Sequence, residues 1–227
     1  KYLVSEKWAL DMDDALRARP DTIEFASRGG YLRPLREASL RTAEEGYMPG
    51  SFVRRIPGIR RSERAFAGLL NEEVVDVFAM GSNAMKAQGA TEAEIDLFVN
   101  FINILGGRGT LPKSLEKFAP VLNLVLFSPR LQAATLQLPR QIGRMLISKN
   151  PYMRKEAAKT LVTFVGGGSA LLGLLNATGK AKVEIDPRSG DFGKIIIGDP
   201  KTGTRLDIWR GYIQYARFAA QMLAGER

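Results

Sequence analysis

One short stretch with the pattern of β-strands, residues 182–208, lies in a chain whose other apolar residues recur at helical spacing. Two runs within it, residues 182–186 and 193–198, flank the turn-forming sequence Pro-Arg-Ser-Gly, as in a β-hairpin. Residues 204–208 have the composition of a third strand. Because two or three short strands are marginally stable alone, we expect a mainly α-helical protein. It should be a multi-helix domain with a small antiparallel β-hairpin or three-strand meander before the C-terminal helix.

Local capping signals predict where two further helices begin. Thr91 and Glu94 have the spacing of a capping box, in which each side chain accepts from the backbone N–H of the other residue. Gly106 and the glycine after it provide the stop signal for that helix. Asn150 precedes Pro151, which is an N-cap followed by the residue favoured at the first helical position. The second signal predicts a long helix that continues to about residue 177.

The N-terminal part is predicted to be organised differently. It should form short helices up to residue 45 and then an irregular arm rich in Gly, Pro and Arg over residues 46–61. Ser62 is the predicted N-cap of a long helix, whose apolar positions are Phe66, Leu69, Leu70, Val74, Val77 and Phe78. We therefore predict N-terminal helices with an arm in residues 1–61 and a helical domain in residues 62–227. The chain begins with Lys, and we expect it to be a piece of a longer polypeptide.

The chain contains no cysteine and no histidine, which restricts the chemistry available to it. A thiolate nucleophile, a Ser-His-Asp triad and the usual zinc sites are excluded. Residues 199–204 resemble the aspartyl-phosphate signature of ion-pumping ATPases, but Pro200 breaks its spacing. The acidic cluster Asp11, Asp13 and Asp14 is interpreted as a solvated helix face. A carboxylate-only metal centre and acid chemistry by paired Asp or Glu are not excluded by this composition. Because the ionisable groups that catalysis usually recruits are missing, we expect a protein that is not an enzyme and that uses no cofactor or metal.

The net charge of +9 favours a nucleic acid, an anionic lipid or an acidic protein as partner. Two basic clusters are candidate contacts with nucleic acid or a neighbouring subunit: Arg54, Arg55, Arg60, Arg61 and Arg64 in or beside the arm, and Arg140, Arg144, Arg154 and Lys155 across two helices. Aromatic residues do not interleave with these groups, so any nucleic-acid contact should be to phosphates and independent of sequence. A solvated surface is the alternative.

Residues 161–177 are uncharged and apolar, close to the short limit of about 17 residues for a bilayer span. Small residues four apart, such as Gly166 and Ala170, allow close helix packing. The favoured interpretation is a buried core helix, and the alternative is conditional insertion into a membrane.

Three blocks of residues carry a resemblance to a known family. The first comprises residues 62–66 with Asn71 and residues 76–78, the second comprises residues 127–130, and the third lies between residues 186 and 221 and includes Asp186, Asp191, Lys194, Arg205, Asp207, Trp209 and Arg217. In these blocks the chain resembles the large polyvalent protein-associated domains of very large phage and mobile-element proteins. It departs from that pattern at Arg210, where the family has glycine.

The resemblance implies a non-enzymatic segment of a phage virion protein, an internal or ejection protein that assembles near the portal and genome and takes part in DNA ejection. Its location would be the capsid interior or the portal and tail, followed by delivery to the host cell. Partners would be other copies of the chain, portal or tail proteins, double-stranded DNA through phosphate contacts and, during delivery, a membrane. Candidate subunit contacts are Phe192, Trp209, Tyr212 and Tyr215.

Two alternatives remain open. One is a basic DNA-binding accessory domain of a large nucleic-acid-processing protein, and the other is a membrane-active segment of a delivery channel.

Overall fold

The computed structural model describes residues 5–35, 57–112, 114, 129–179, 182–186, 188–209 and 212–223. The helices are α1 (Glu6–Arg17), α2 (Pro20–Ser27), α3 (Pro57–Ala87), α4 (Glu92–Leu105), α5 (Pro129–Leu146), α6 (Pro151–Ala177) and α7 (Ile213–Leu223), and the strands are β1 (Lys182–Val183), β2 (Ile195–Ile197) and β3 (Thr204–Leu206). The chain is thus mainly α-helical with a small antiparallel sheet before the last helix, which confirms the predicted fold class.

The chain forms two compact units, Lys1–Ala157 and Ala158–Arg227. The first contains α1 to α5 and the start of α6; the second contains the rest of α6, the sheet and α7. The domain boundary predicted after Arg61 falls within helix α3. The division into residues 1–61 and 62–227 stays a prediction.

The long helix α3 begins earlier than predicted. It is helical from Pro57, so the predicted irregular arm is wrong for residues 57–61, and Ser62 lies inside the helix instead of capping it. Proline is well tolerated in the first turn of a helix because its missing N–H has no partner there. Packing of α3 against α1, α2 and α4 outweighs the low helix propensity of Gly58.

The core of the first unit lies between α2, α3, α4 and α5 and the first turns of α6. Its largest fully buried side chains are Phe25, Val75, Phe78, Met85, Ile95, Phe98, Val99, Met145 and Met153. The Phe25 and Phe78 rings lie 5.1 Å apart, and Tyr152 contacts Phe98 edge-on at 5.9 Å. Burying a side chain of this size stabilises the fold by about 1.5–3 kcal/mol, so this cluster is the main source of stability of the unit.

Both predicted helix starts are confirmed. Thr91 is the N-cap of α4, and the reciprocal capping box with Glu94 is present. Asn150 Oδ1 accepts from the backbone N–H groups of Tyr152 (3.0 Å) and Met153 (3.3 Å) at the start of α6. These short-range signals act between residues that are neighbours in sequence, so tertiary packing has little opportunity to override them.

A buried polar bridge ties α1 to α3 and to the extended segment after α2. Asn71 Oδ1 accepts from the backbone N–H of Arg33 (2.8 Å), and its Nδ2 donates to the carbonyl of Arg33 (2.8 Å). Asp13 is buried and accepts from Arg17 Nε at 2.8 Å. Asp11 and Asp14 are exposed as expected, but the solvated-face interpretation is wrong for Asp13.

The second unit is built around the sheet and Trp209. The strands have the order β1-β2-β3, with Val183 opposite Ile195 and Ile195 opposite Leu206. Ile195 is buried, and Trp209 Nε1 donates to the carbonyl of Gly193 at 3.1 Å. The predicted three-strand meander is therefore present, with strands shorter than the sequence suggested.

Candidate interaction surfaces

The first basic cluster does not form one exposed group. Arg54 and Arg55 lie outside the described residues, as does the side chain of Arg60, which is on α3. Arg61 is exposed, whereas the side chain of Arg64 is 12% exposed and pairs with Glu6 at 3.3 Å. Arg64 therefore ties α1 to α3.

The second basic cluster is exposed. Arg140 and Arg144 lie four residues apart on α5 and share one face of that helix. Arg154 and Lys155 are exposed in the first turns of α6, and Arg154 Nη1 donates to the carbonyl of Ser148 at 3.1 Å. Among the described residues of the two clusters, Arg140 and Arg144 form an exposed pair on one helix face.

The predicted subunit-contact residues occupy different environments. Trp209 is buried within its own unit, where its ring meets Phe164 edge-on at 5.5 Å. Tyr212 is half-buried and contacts the same Phe164 ring at 5.8 Å. Phe192 is half-buried, and the side chain of Tyr215 lies outside the described residues. The structure shows an intramolecular role for Trp209 and Tyr212, and their part in subunit contacts stays a prediction.

We call the contact between Trp209, Tyr212, Phe164 and Gly168 the aromatic clasp. It places Trp209 and Tyr212, which lie between β3 and α7, against one face of α6. A Cβ atom at Gly168 would overlap the Trp209 ring, so only glycine permits this close approach. The clasp contacts α6 near the middle of its uncharged stretch.

Within the described part of the chain, most of the uncharged stretch of α6 is exposed, so the prediction of a buried core helix over residues 161–177 is wrong. Only 6% of the residues in its most apolar 18-residue stretch are buried. Val162 and Leu174 are 72% and 65% exposed, and Val165 and Leu171 are exposed as well. Composition does not distinguish a core helix from one that the fold leaves uncovered, because both are apolar. By length and composition α6 is able to cross a membrane.

A second exposed apolar surface, which sequence reasoning missed, runs along α3. We call it the α3 seam: Phe66, Leu69, Val77 and Met80, all exposed. At about 100° per residue these positions fall within roughly 80° of one helix face, and Glu73 lies among them. Counting Glu73, successive positions of the seam lie three or four residues apart, and this helical spacing was the available signal. Val75 and Phe78 belong to a separate, buried face of α3.

The carboxylate of Asp199 stabilises a turn. Its Oδ1 accepts from the backbone N–H groups of Lys201 (2.8 Å) and Thr202 (3.1 Å), and these bonds hold the pKa of Asp199 below its usual value. Within the described part of the chain, no group of three or more Asp or Glu side chains is placed to hold a metal ion.

No protein-family model matches the chain, and neither a curated protein nor a solved structure is significantly similar to it. The resemblance to the large polyvalent protein-associated domains therefore stays a prediction.

Proposed function

We propose that the chain is a non-enzymatic segment of a large phage virion protein, an internal or ejection protein that assembles with copies of itself near the portal and genome. The observation that carries the assembly role is the α3 seam, with Phe66 63% and Met80 65% exposed. The resemblance described above supplies the virion setting. In this setting the segment takes part in DNA ejection.

The geometry of the α3 seam favours a helical partner. Counting Glu73, the positions of the seam lie three or four residues apart on one helix face, which suits contact with another helix, and a second copy offers the same face. From Phe66 to Met80 the seam is about 21 Å long at about 1.5 Å per residue. Two charged groups of α3 are engaged within the unit: Asp76 pairs with Arg19 at 2.8 Å and Lys86 with Glu24 at 2.7 Å. The seam is thus an exposed apolar strip with one carboxylate, Glu73, among its residues.

A Leu69→Lys substitution tests the assembly role. We expect the wild-type chain to associate in a concentration-dependent manner in analytical ultracentrifugation, and Leu69→Lys to raise the dissociation constant about tenfold or more, because burying a leucine contributes about 1.5–3 kcal/mol. Leu136→Lys makes the same change at an exposed position of α5 and should behave as the wild type. Equal association of all three proteins would contradict the proposal.

The second candidate function is a basic DNA-binding accessory domain, favoured by the exposed pair Arg140 and Arg144. In that case binding to duplex DNA falls steeply with salt, and Arg140→Glu with Arg144→Glu lowers both the affinity and the salt slope. The control is Lys182→Glu with Lys201→Glu, which changes the charge equally at exposed lysines elsewhere. Salt-independent binding would count against this function.

A further inference from the structure

We propose that the uncharged part of α6, from Thr160 to Ala177, inserts into a lipid bilayer that contains anionic lipids. The inference goes beyond the proposed assembly function, and it holds whether or not the chain is carried in a virion. The inference rests on three properties of this part of α6: its exposure, its length and the basic residues on either side of it.

Exposure is the first observation. Val162, Val165, Leu171 and Leu174 are all exposed, and at about 100° per residue they spread over roughly 240° of the helix circumference. A helix that is apolar on nearly all sides is normally buried in a protein core or a membrane. The aromatic clasp covers the face of Phe164 and Gly168. Within the described part of the chain, most of the apolar surface of this helix is therefore uncovered.

Length is the second observation. The uncharged helical stretch from Thr160 to Ala177 measures roughly 27 Å at about 1.5 Å per residue. This matches the hydrocarbon core of a bilayer, which is about 30 Å thick. Because a helix satisfies its own backbone hydrogen bonds, the stretch brings no unpaired peptide groups into the lipid.

Flanking charge is the third observation, and it favours anionic lipid. Arg154, Lys155 and Lys159 are exposed in the turns before the uncharged stretch, and Lys182 is exposed after it. Basic residues at both ends of an apolar helix are placed to contact lipid phosphates while the stretch between them lies in the hydrocarbon.

The spread of the exposed residues favours a bilayer over a protein partner. A single partner helix covers an apolar stripe about 100° wide, which would leave either Val162 and Val165 or Leu171 and Leu174 in water. A bilayer covers all four. Full insertion also requires the aromatic clasp to open, because Trp209 lies against Gly168 near the middle of the stretch.

The test is flotation of the whole chain with vesicles of phosphatidylcholine alone or with phosphatidylserine added. We expect the wild type to float with the anionic vesicles and to remain bound when the salt is raised to about 1 M, since buried apolar contacts are not screened. Leu171→Lys places an ammonium group at the centre of the stretch and should weaken binding roughly a hundredfold. Leu136→Lys on α5 is the matched control and should bind as the wild type does.

The Leu171→Lys substitution distinguishes insertion of α6 into the hydrocarbon from electrostatic adsorption on the lipid surface. If a basic protein merely adsorbs on anionic lipid, Leu171→Lys binds at least as well as the wild type and salt releases both; this result overturns the proposal. A second central variant, Gly167→Lys, has open space around its new Cβ and carries the same expectation if Leu171→Lys is poorly folded by circular dichroism.

If a protein partner covers this face of α6, vesicle binding and ultracentrifugation give different results. If no variant binds vesicles and Leu171→Lys converts an oligomer into a monomer in ultracentrifugation, the face is covered by a second copy and the bilayer proposal is wrong. Failure of the α3 seam test would leave these outcomes unchanged, because Leu69 and Leu171 lie on different helices.

Discussion

Trp209 organises the second unit through two glycines. Its ring lies against Gly168 of α6, and its Nε1 donates to the carbonyl of Gly193, which has a φ of 72°. Its backbone N–H donates to Asp207 Oδ1 at 2.7 Å. A side chain at Gly193 would also overlap Ile213. The ring thus connects the long helix to the backbone before β2, and each glycine is required by a close approach.

The Gly168→Ala substitution tests this arrangement. The new Cβ overlaps the Trp209 ring, so we expect the free energy of unfolding to fall by about 1–3 kcal/mol and the indole N–H resonance of Trp209 to shift in NMR spectra. Gly166→Ala is the control, since its Cβ meets open space and alanine favours the helix by about 0.5–1 kcal/mol. An unchanged indole resonance in Gly168→Ala would show that the clasp does not exist in solution.

Several residues in the three blocks that carry the family resemblance have structural roles within this chain. Asp191 accepts from Lys194 and from Arg205, each at 3.0 Å, which ties the turn before β2 to β3. In the first block, Asn71 holds the extended segment at Arg33. The sequence shows that such residues are present, but their partners are distant in the chain. Their roles therefore could not be predicted from local spacing.

Helix ends were predictable where the signal is local, as the capping box of α4 illustrates. The backbone N–H of Thr91 donates to Glu94 Oε2 at 3.0 Å, and Ser148 Oγ donates to Glu94 Oε1 at 2.8 Å. Both bonds favour the charged carboxylate, so they hold the pKa of Glu94 below its usual value. The box therefore also joins the start of α4 to the loop after α5.

This pKa shift has a pH consequence. Because the pKa of Glu94 is lowered by folding, its contribution to stability is fully present above the ordinary glutamate pKa of about 4.3 and is lost as the pH falls through the lowered value. We expect the Glu94 carboxyl resonance to titrate below that ordinary value. Ser148→Ala should move its midpoint upward, because one hydrogen bond to the carboxylate is removed. A midpoint that is ordinary in both proteins would contradict this assignment.

Burial of whole helices was less predictable than their ends. The apolar positions of α3 were visible in the sequence, yet Phe78 is buried while Phe66 and Val77 are exposed. The same holds for α6, whose composition suits a core and whose side chains are mostly uncovered. Helical spacing reports which residues share a face; which face is covered depends on elements elsewhere in the fold.

At the scale of the whole molecule, each compact unit offers an apolar surface of its own. The first unit has the α3 seam, and the second has the uncovered sides of α6. The chain carries a net charge of +9, which suits work beside anionic polymers or lipids. The three proposed roles, namely assembly, phosphate contact and bilayer insertion, involve different parts of the chain, and each has a variant that leaves the other two surfaces intact.

We propose that the chain is an assembled part of a phage particle, and cryo-electron microscopy of intact particles of a phage that encodes it is the decisive experiment. We expect ordered copies around the portal or tail channel, with the α3 seams of neighbouring copies in contact. Particles without the chain, or copies whose α3 seams face solvent, would show that this proposal is wrong.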